Sequence, residues 1–351
     1  MTKYASLLTL LLLCASAAAA QDTPLVSRSG TRPLVRPDGT YVFQHIPHSD
    51  LVFEGQIAPR IIILDSINRA TRNVLLENKA PVWSYQVSTT PMVKLRMFDQ
   101  TSNPVRTPSY MPKATVQFVR FKNLSHDTDP DAEGFNRGPI EMWLIDTIPF
   151  GHHSNGQDGC LYTSQARNAD GDCVDVVPTP PEDQVVNTKD GSFSTNYIEA
   201  MAFYGRMVLD SDGAAAGDFA TRREWRAGVG IQLNPEGYVG GSIKPAQADR
   251  YGPTRILFGA MAAQRGLWRC GRAAADARLQ YLTDSHPDVP ALIFQLEGAC
   301  FPSSWGGAGI FVRFYTGQDY YNLGFTESIS RLQFGVTLQR DQFLSFRIKP
   351  N

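Results

Sequence analysis

The sequence predicts an all-β protein of antiparallel strands joined by long polar loops. Two segments, Trp225 to Leu233 and Leu332 to Leu338, alternate apolar and polar residues with a period of two, which is typical of strands with two unlike faces. Stretches rich in Gly, Pro, Asp and Asn, such as Ser125 to Gly138, indicate loops between strands. Helical periodicity is weak and confined to Asp65 to Lys79 and Ala263 to Leu282, where short helices are expected.

The period-two pattern fits two architectures. A soluble sandwich or barrel points its apolar faces inward, whereas a transmembrane barrel points them at lipid and keeps polar side chains in the lumen. Small polar residues, mainly Gly, Gln and Thr, occupy the second face of the alternating segments. They favour the membrane barrel, but the pattern alone leaves both architectures open.

The first twenty residues predict export. Lys3 provides a positive start, Leu7 to Leu13 is nearly all leucine, and Ala17 to Ala20 supply a small-residue cleavage site, as in a secretory signal peptide cleaved after Ala20. The chain of 351 residues has a formal net charge of −1, which disfavours nucleic acid as a partner. No later stretch of the sequence approaches the roughly 18 apolar residues of a transmembrane helix.

Four cysteines follow the signal peptide: Cys160, Cys173, Cys270 and Cys300. An even number in an exported chain predicts two disulfides, and the sequential pairing, 160 with 173 and 270 with 300, closes the shortest loops. Zinc is a poor alternative, because the spacings are wide and lack a Cys-x-x-Cys pair. The segment between Cys270 and Cys300 is expected to be an extracellular loop between two strands.

The segment PIEMWLIDTIPFGHHS, Pro139 to Ser154, is predicted to be a strand that carries a polar motif at its end. Successive side chains of a strand point to opposite faces, so His152 and Ser154 share a face and His153 points the other way. The even positions from Ile140 to Phe150 are mostly apolar. His152 and Ser154 are therefore expected at the end of an apolar stripe, on the lipid-facing wall of a membrane barrel.

A histidine beside a serine on one face can activate the hydroxyl, which is a weak nucleophile by itself. A third group must hold the imidazole in the correct tautomer, and the amide of Gly156 can approach a substrate oxyanion. The alternative reading is a polar turn, because Ser154, Asn155 and Gly156 also form a good turn sequence.

The motif His152-x-Ser154-Asn155-Gly156 resembles the signature of outer membrane phospholipase A. This family hydrolyses bacterial phospholipids on the lipid-facing wall of a barrel of about twelve antiparallel strands. The resemblance implies a Ser154 nucleophile, a His152 base and calcium as cofactor. A second segment, SFSTN, resembles the family's Ser-x-Ser-x-Asn and gives Asn196 as the orienting residue. The family separates its Ser and Asn by about a dozen residues, whereas Ser154 and Asn196 are 42 apart.

The resemblance also implies a calcium site. Its ligands are the hydroxyl of Ser192, the backbone carbonyl of Gln157 and, in a homodimer, Ser102 contributed by the partner chain. Ser102 lies in SNPVRTPSYMP, which resembles a loop of the family. Calcium-polarised water and the Gly156 amide are expected to hold the oxyanion.

These readings predict a signal peptide over residues 1–20, a periplasmic segment with a possible short helix over 21–85, and a transmembrane antiparallel barrel with long extracellular loops over 86–351. The expected function is calcium-dependent hydrolysis of acyl esters of membrane phospholipids (phospholipase A1 or A2) in the bacterial outer membrane, without nucleic acid and with a homodimer as a possible state. Two alternatives are a non-catalytic barrel, a pore or adhesin with a degenerate site, and a soluble secreted esterase.

Overall fold

The computed structural model of the protein describes residues 39–46, 51–67, 81–99, 105–124, 139–180, 183–211, 218–235, 237–240, 243, 248, 250–267, 269–283, 285–287, 289–305, 307–338 and 345–347. Within these residues no helix is long and apolar enough to cross a membrane. Regular structure there consists almost entirely of strands, with a few short helical turns.

Eighteen strands lie within the described residues: β1 Thr40–Ile46, β2 Leu51–Ile57, β3 Ile61–Asp65, β4 Val82–Thr90, β5 Val93–Phe98, β6 Ser109–Tyr110, β7 Lys113–Asn123, β8 Pro139–Ser154, β9 Gln165–Arg167, β10 Cys173–Asp175, β11 Ser194–Ser211, β12 Asp218–Leu233, β13 Thr254–Arg265, β14 Arg272–Thr283, β15 Leu292–Phe301, β16 Ala308–Gln318, β17 Ser328–Leu338 and β18 Ser345–Arg347.

These strands form a closed antiparallel barrel. Three pairs of short strands, β2 with β3, β4 with β5 and β6 with β7, each form one interrupted strand of the barrel wall. The described strands therefore make up a wall of twelve barrel strands. β8 pairs with β11, and β1 pairs with β17 to close the ring. β9 and β10 form a separate hairpin, and β18 pairs with β12. The prediction of an all-β antiparallel barrel of about twelve strands is confirmed.

The two faces of the barrel wall differ in polarity. Large apolar side chains are exposed on the outer face, among them Trp83, Phe118, Trp143, Trp225, Phe258, Leu296, Val312 and Phe334. Charged and amide side chains are buried on the inner face, among them Glu54, Arg96, Gln117, Asp276, Glu297, Arg313 and Gln333. This is the arrangement of a membrane barrel and the reverse of a soluble one.

The barrel begins earlier than the boundary predicted at residue 86. β1, β2 and β3 are part of its wall, and β1 closes the ring against β17. A break between Ile57 and Ile61 interrupts the second barrel strand. The alternation of apolar and polar residues is therefore difficult to recognise in the sequence. The signal peptide and residues 68–79 of the first expected helix lie outside the described residues.

The prediction of a second helix is wrong. Ala263 to Leu282 comprises the end of β13, a turn and nearly all of β14. The run of alanines in β14 suits helix and strand alike, and pairing with β13 and β15 selects the strand. The segment from Cys270 to Cys300 is likewise two strands rather than one loop. The cysteines are joined as Cys160–Cys173 and Cys270–Cys300, with Cα–Cα distances of 5.6 and 5.4 Å.

The connection between β16 and β17 folds into the mouth of the barrel, at the end where β8 finishes. We call residues 319–327 the mouth loop. Its Leu323 and Phe325 are buried. Asp319 forms an ion pair of 2.6 Å with Arg96, which also contacts Glu54 at 2.7 Å. These buried contacts fix the mouth loop to the inner wall, and hydrogen bonds from the loop reach the carbonyl of Thr107.

Candidate active site

A β-bulge near the end of β8 decides which face the motif presents. Ile148 is opposite Glu199 of β11 and Gly151 is opposite Tyr197, so Pro149 and Phe150 together face one residue, Ile198. Proline lacks an amide donor and is tolerated at bulges. Because the bulge adds one residue, it reverses the inward and outward alternation of β8.

The reversal shows that the predicted apolar stripe does not lie on the same face as His152 and Ser154. Residues of β8 at even positions from Ile140 to Ile148 are buried and face the lumen, whereas Trp143 and Ile145 are exposed on the outer wall. Beyond the bulge the even positions face outward. His152 and Ser154 therefore lie on the outer wall as expected, although the stripe that was to lead to them lies inside.

His152 and Asn196 form the central contact of the site. They are direct cross-strand partners in β8 and β11, and His152 Nδ1 lies 2.6 Å from Asn196 Oδ1. The Asn196 amide nitrogen donates to the carbonyl of Tyr238 at 2.7 Å. Asn196 Oδ1 therefore acts as the acceptor, and His152 Nδ1 carries the proton. The remaining nitrogen of the imidazole, Nε2, is left as the basic one.

Ser154 lies two residues beyond His152 on the same face. It is half-buried, with Ser194 opposite on β11 and Tyr110 opposite on β6. Gly156 follows with φ of +63° and is exposed. A Cβ at Gly156 would lie 3.1 Å from the ring of Tyr110 and in a conformation that favours glycine. The backbone at Gly156 is thus open to a molecule that reaches Ser154.

The long insertion between Ser154 and Asn196 folds without separating them. Its ends meet where Ser154 pairs with Ser194 at the start of β11. Asn155 ties the two arms together: its amide donates to the carbonyl of Gly191 at 2.7 Å, and its Oδ1 accepts from the amide of Phe193 at 3.0 Å. The Cys160–Cys173 disulfide and the β9–β10 hairpin order the rest of the insertion.

His153 occupies the inner face, behind the pair on the outer wall. It is buried, with Nε2 at 2.8 Å from Ser109 Oγ and Nδ1 at 3.2 Å from the Tyr251 hydroxyl. The ring packs edge-on against Phe193 at 4.9 Å. These contacts anchor the end of β8 to the lumen, so His153 has a structural setting, whereas His152 lies on the opposite, outer face.

Gln157 and Ser192 lie on adjoining arms of the insertion. The Gln157 amide donates to Asn155 Oδ1 at 3.3 Å, and the same oxygen accepts from the residue after Ser192. Both polar atoms of the Gln157 side chain are used, one by Asn155 and one by the carbonyl of Lys189. Both side-chain polar atoms of Gln157 are thus engaged, and its backbone carbonyl is the other oxygen of this residue.

The donor chemistry of this region fits calcium, which takes hard oxygen ligands in flexible geometry. Asp158 and Asp190 lie exposed on the same two arms, where the amide after Asp158 donates to the Asp190 carbonyl at 3.1 Å. No group of three His, Cys, Asp or Glu residues with metal-binding geometry occurs in the described part of the chain. Ser102, the ligand expected from a partner chain, lies outside the described residues.

Solved structures with a similar chain trace include outer membrane phospholipase A from Escherichia coli. It matches with a TM-score of 0.45 and 14% identity, over 87% of this chain and 95% of the other. A calcium-bound dimer of the Salmonella typhi outer membrane phospholipase matches with a TM-score of 0.44 and 13% identity, over 90% and 97% of the two chains.

No protein-family model and no curated protein sequence matches the chain. Any assignment of function therefore depends on the geometry of the site itself. Sequence reasoning missed one residue of that site, Tyr238, whose carbonyl holds Asn196. It lies in the connection after β12, and nothing in its local sequence marks it as a neighbour of β11.

Proposed function

We propose that the protein is a calcium-dependent phospholipase A of the bacterial outer membrane that cleaves acyl esters with Ser154, His152 and Asn196. The hydrogen bond of 2.6 Å between His152 Nδ1 and Asn196 Oδ1, on the outer wall beside Ser154, carries the proposal. A polar His–Asn pair facing lipid costs free energy, so it favours a functional role over a structural one.

Ser154 attacks the ester carbonyl of a phospholipid while His152 Nε2 accepts its proton. The tetrahedral intermediate collapses to an acyl-enzyme, and His152 passes the proton to the oxygen of the departing lysophospholipid. Water then attacks the acyl-enzyme with His152 again as base, which releases the fatty acid and restores Ser154. Asn196 keeps the proton on Nδ1 throughout, so that Nε2 is the nitrogen that accepts and releases the proton in each step.

The oxyanion of both tetrahedral intermediates needs donors close to Ser154. The exposed backbone at Gly156 is placed to provide its amide, because glycine has no side chain to keep a substrate away from it. Ser192 Oγ, the Gln157 carbonyl and, in a homodimer, Ser102 of the partner chain would hold calcium. When bound, calcium supplies positive charge that favours the oxyanion.

The surroundings of the site support a lipid substrate. Tyr110 and Ile145 are exposed on the same outer wall, where a phospholipid would present its ester near the interface. The outward apolar face also supports a location in the outer membrane rather than a soluble esterase. The mouth loop crosses the lumen on the side of the site, which disfavours the alternative of an open pore.

Removal of calcium is expected to suppress fatty-acid release from phospholipid micelles by at least about 100-fold, and readdition restores it. Ser192→Ala is expected to raise the calcium concentration for half-maximal activity about tenfold, since one oxygen ligand is lost. Ser164→Ala is the matched control, because Ser164 Oγ is buried in the insertion without a hydrogen-bond partner. Equal activity with and without chelator would contradict the calcium requirement.

A further inference from the structure

The turn between β12 and β13 contacts Asn196 from the side opposite His152. The Tyr238 carbonyl accepts from Asn196 Nδ2 at 2.7 Å, and the Val239 carbonyl lies 3.4 Å from the same nitrogen. Asn196 is 4% exposed, so these contacts and His152 account for both ends of its amide. The orientation of the Asn196 side chain is therefore set by this turn as much as by β11.

The side chain of the same tyrosine reaches the strand that carries the motif. The Tyr238 hydroxyl donates a hydrogen bond to the carbonyl of Pro149. Pro149 belongs to the bulge that turns His152 to the outer wall. Tyr238 thus contacts the Asn196 side chain through its backbone carbonyl. Its hydroxyl contacts the bulge that precedes His152 in β8.

The turn keeps a conformation that its own sequence does not favour. Val239 has φ of 51° and ψ of 39°, a left-handed conformation that is uncommon for a β-branched residue. Val239 is also 64% exposed, so packing of its side chain does not explain the conformation. Within the described residues, the contacts of the turn with Asn196 and Pro149 help to hold it in place.

We propose that Tyr238 is a positioning residue for the reaction, and that its carbonyl is the reason a neutral amide stands at position 196. The inference rests on the proposed function. The group at 196 must accept from His152 on one side and donate to Tyr238 on the other. An amide does both, whereas a carboxylate only accepts and would set a charged oxygen against the Tyr238 carbonyl.

The test measures kcat and KM for fatty-acid release by the full chain in detergent micelles with saturating calcium. Tyr238→Phe removes only the hydroxyl and is expected to lower kcat about five- to tenfold, the worth of one neutral hydrogen bond, with KM unchanged. In an Asn196→Ala background the same change is expected to have no further effect. Tyr281→Phe, on the exposed outer face of β14, is the control and keeps wild-type kcat.

Asn196→Asp supplies the second arm of the test. It is expected to lower kcat at neutral pH at least as far as Asn196→Ala does, with folding checked by heat-modifiable migration in gels. Wild-type activity of Asn196→Asp, or equal losses from Tyr238→Phe in both backgrounds, would overturn the role of Tyr238 while leaving the proposed function intact. A wild-type protein without calcium-dependent activity would overturn both.

Discussion

Replacement of His152 by alanine is expected to lower kcat for fatty-acid release by at least about 1,000-fold, with little change in KM. The hydroxyl of Ser154 then has no base on its face of β8, and Asn196 cannot substitute because an amide does not accept a proton at neutral pH. The measurement is the initial rate of fatty-acid release from phospholipid micelles at saturating calcium, with folding checked by heat-modifiable migration in gels.

The neighbouring histidine provides the matched control. His153→Asn keeps a polar group toward Ser109 on the inner face and is expected to lower kcat less than about tenfold. Its effect is instead expected on stability, because the variant loses part of the anchor between β8 and Tyr251. Equal loss of kcat in the two variants would contradict the assignment of His152 to the outer wall and His153 to the lumen.

Replacement of Arg96 by alanine is expected to lower the free energy of unfolding by about 3–5 kcal/mol. Arg96 pairs with Glu54 and Asp319, whose side chains are 0% and 6% exposed, and its loss leaves two buried carboxylates without their cation. Urea unfolding in detergent micelles, followed by tryptophan fluorescence, measures the change. The mouth loop is expected to be held more weakly, because Asp319, its first residue, loses the ion pair that joins it to the inner wall.

A second arginine in the lumen tests whether burial causes this effect. Arg278 pairs with Asp276 at 3.1 Å, but its side chain is 39% exposed. Arg278→Ala is therefore expected to cost less than Arg96→Ala, about 1–2 kcal/mol, because the guanidinium is partly solvated and one buried carboxylate, Asp276, rather than two loses its cation. If both arginine variants destabilise the barrel equally, the buried network at Arg96 does not hold the mouth loop as described.

The fold follows from the sequence to the extent that alternation is regular. Trp225 to Leu233 alternates without interruption and forms most of β12, and its apolar residues point outward. The first three strands were missed because they are short and broken between Ile57 and Ile61. The alanines of β14 carry no periodic signal, so only pairing with β13 and β15 decides their conformation.

Prediction of the site from the sequence is limited in a different way. Strand parity separates His152 from His153 correctly, because the two are adjacent and no irregularity lies between them. Parity fails when it is extended back to Ile140, since the bulge at Pro149 lies in between. A proline inside a strand is a local sign of such a bulge. Contacts from distant connections, such as Tyr238 on Asn196, have no sign in the local sequence.

We propose that Ser154, activated by His152, hydrolyses phospholipid esters. The measurement that tests it most directly is fatty-acid release from phospholipid micelles by the wild-type chain and by Ser154→Ala, each with calcium and with chelator. We expect release by the wild-type chain only when calcium is present, and none above the uncatalysed background by Ser154→Ala under either condition. An inactive wild-type chain, or a Ser154→Ala variant that keeps wild-type activity, would contradict the claim.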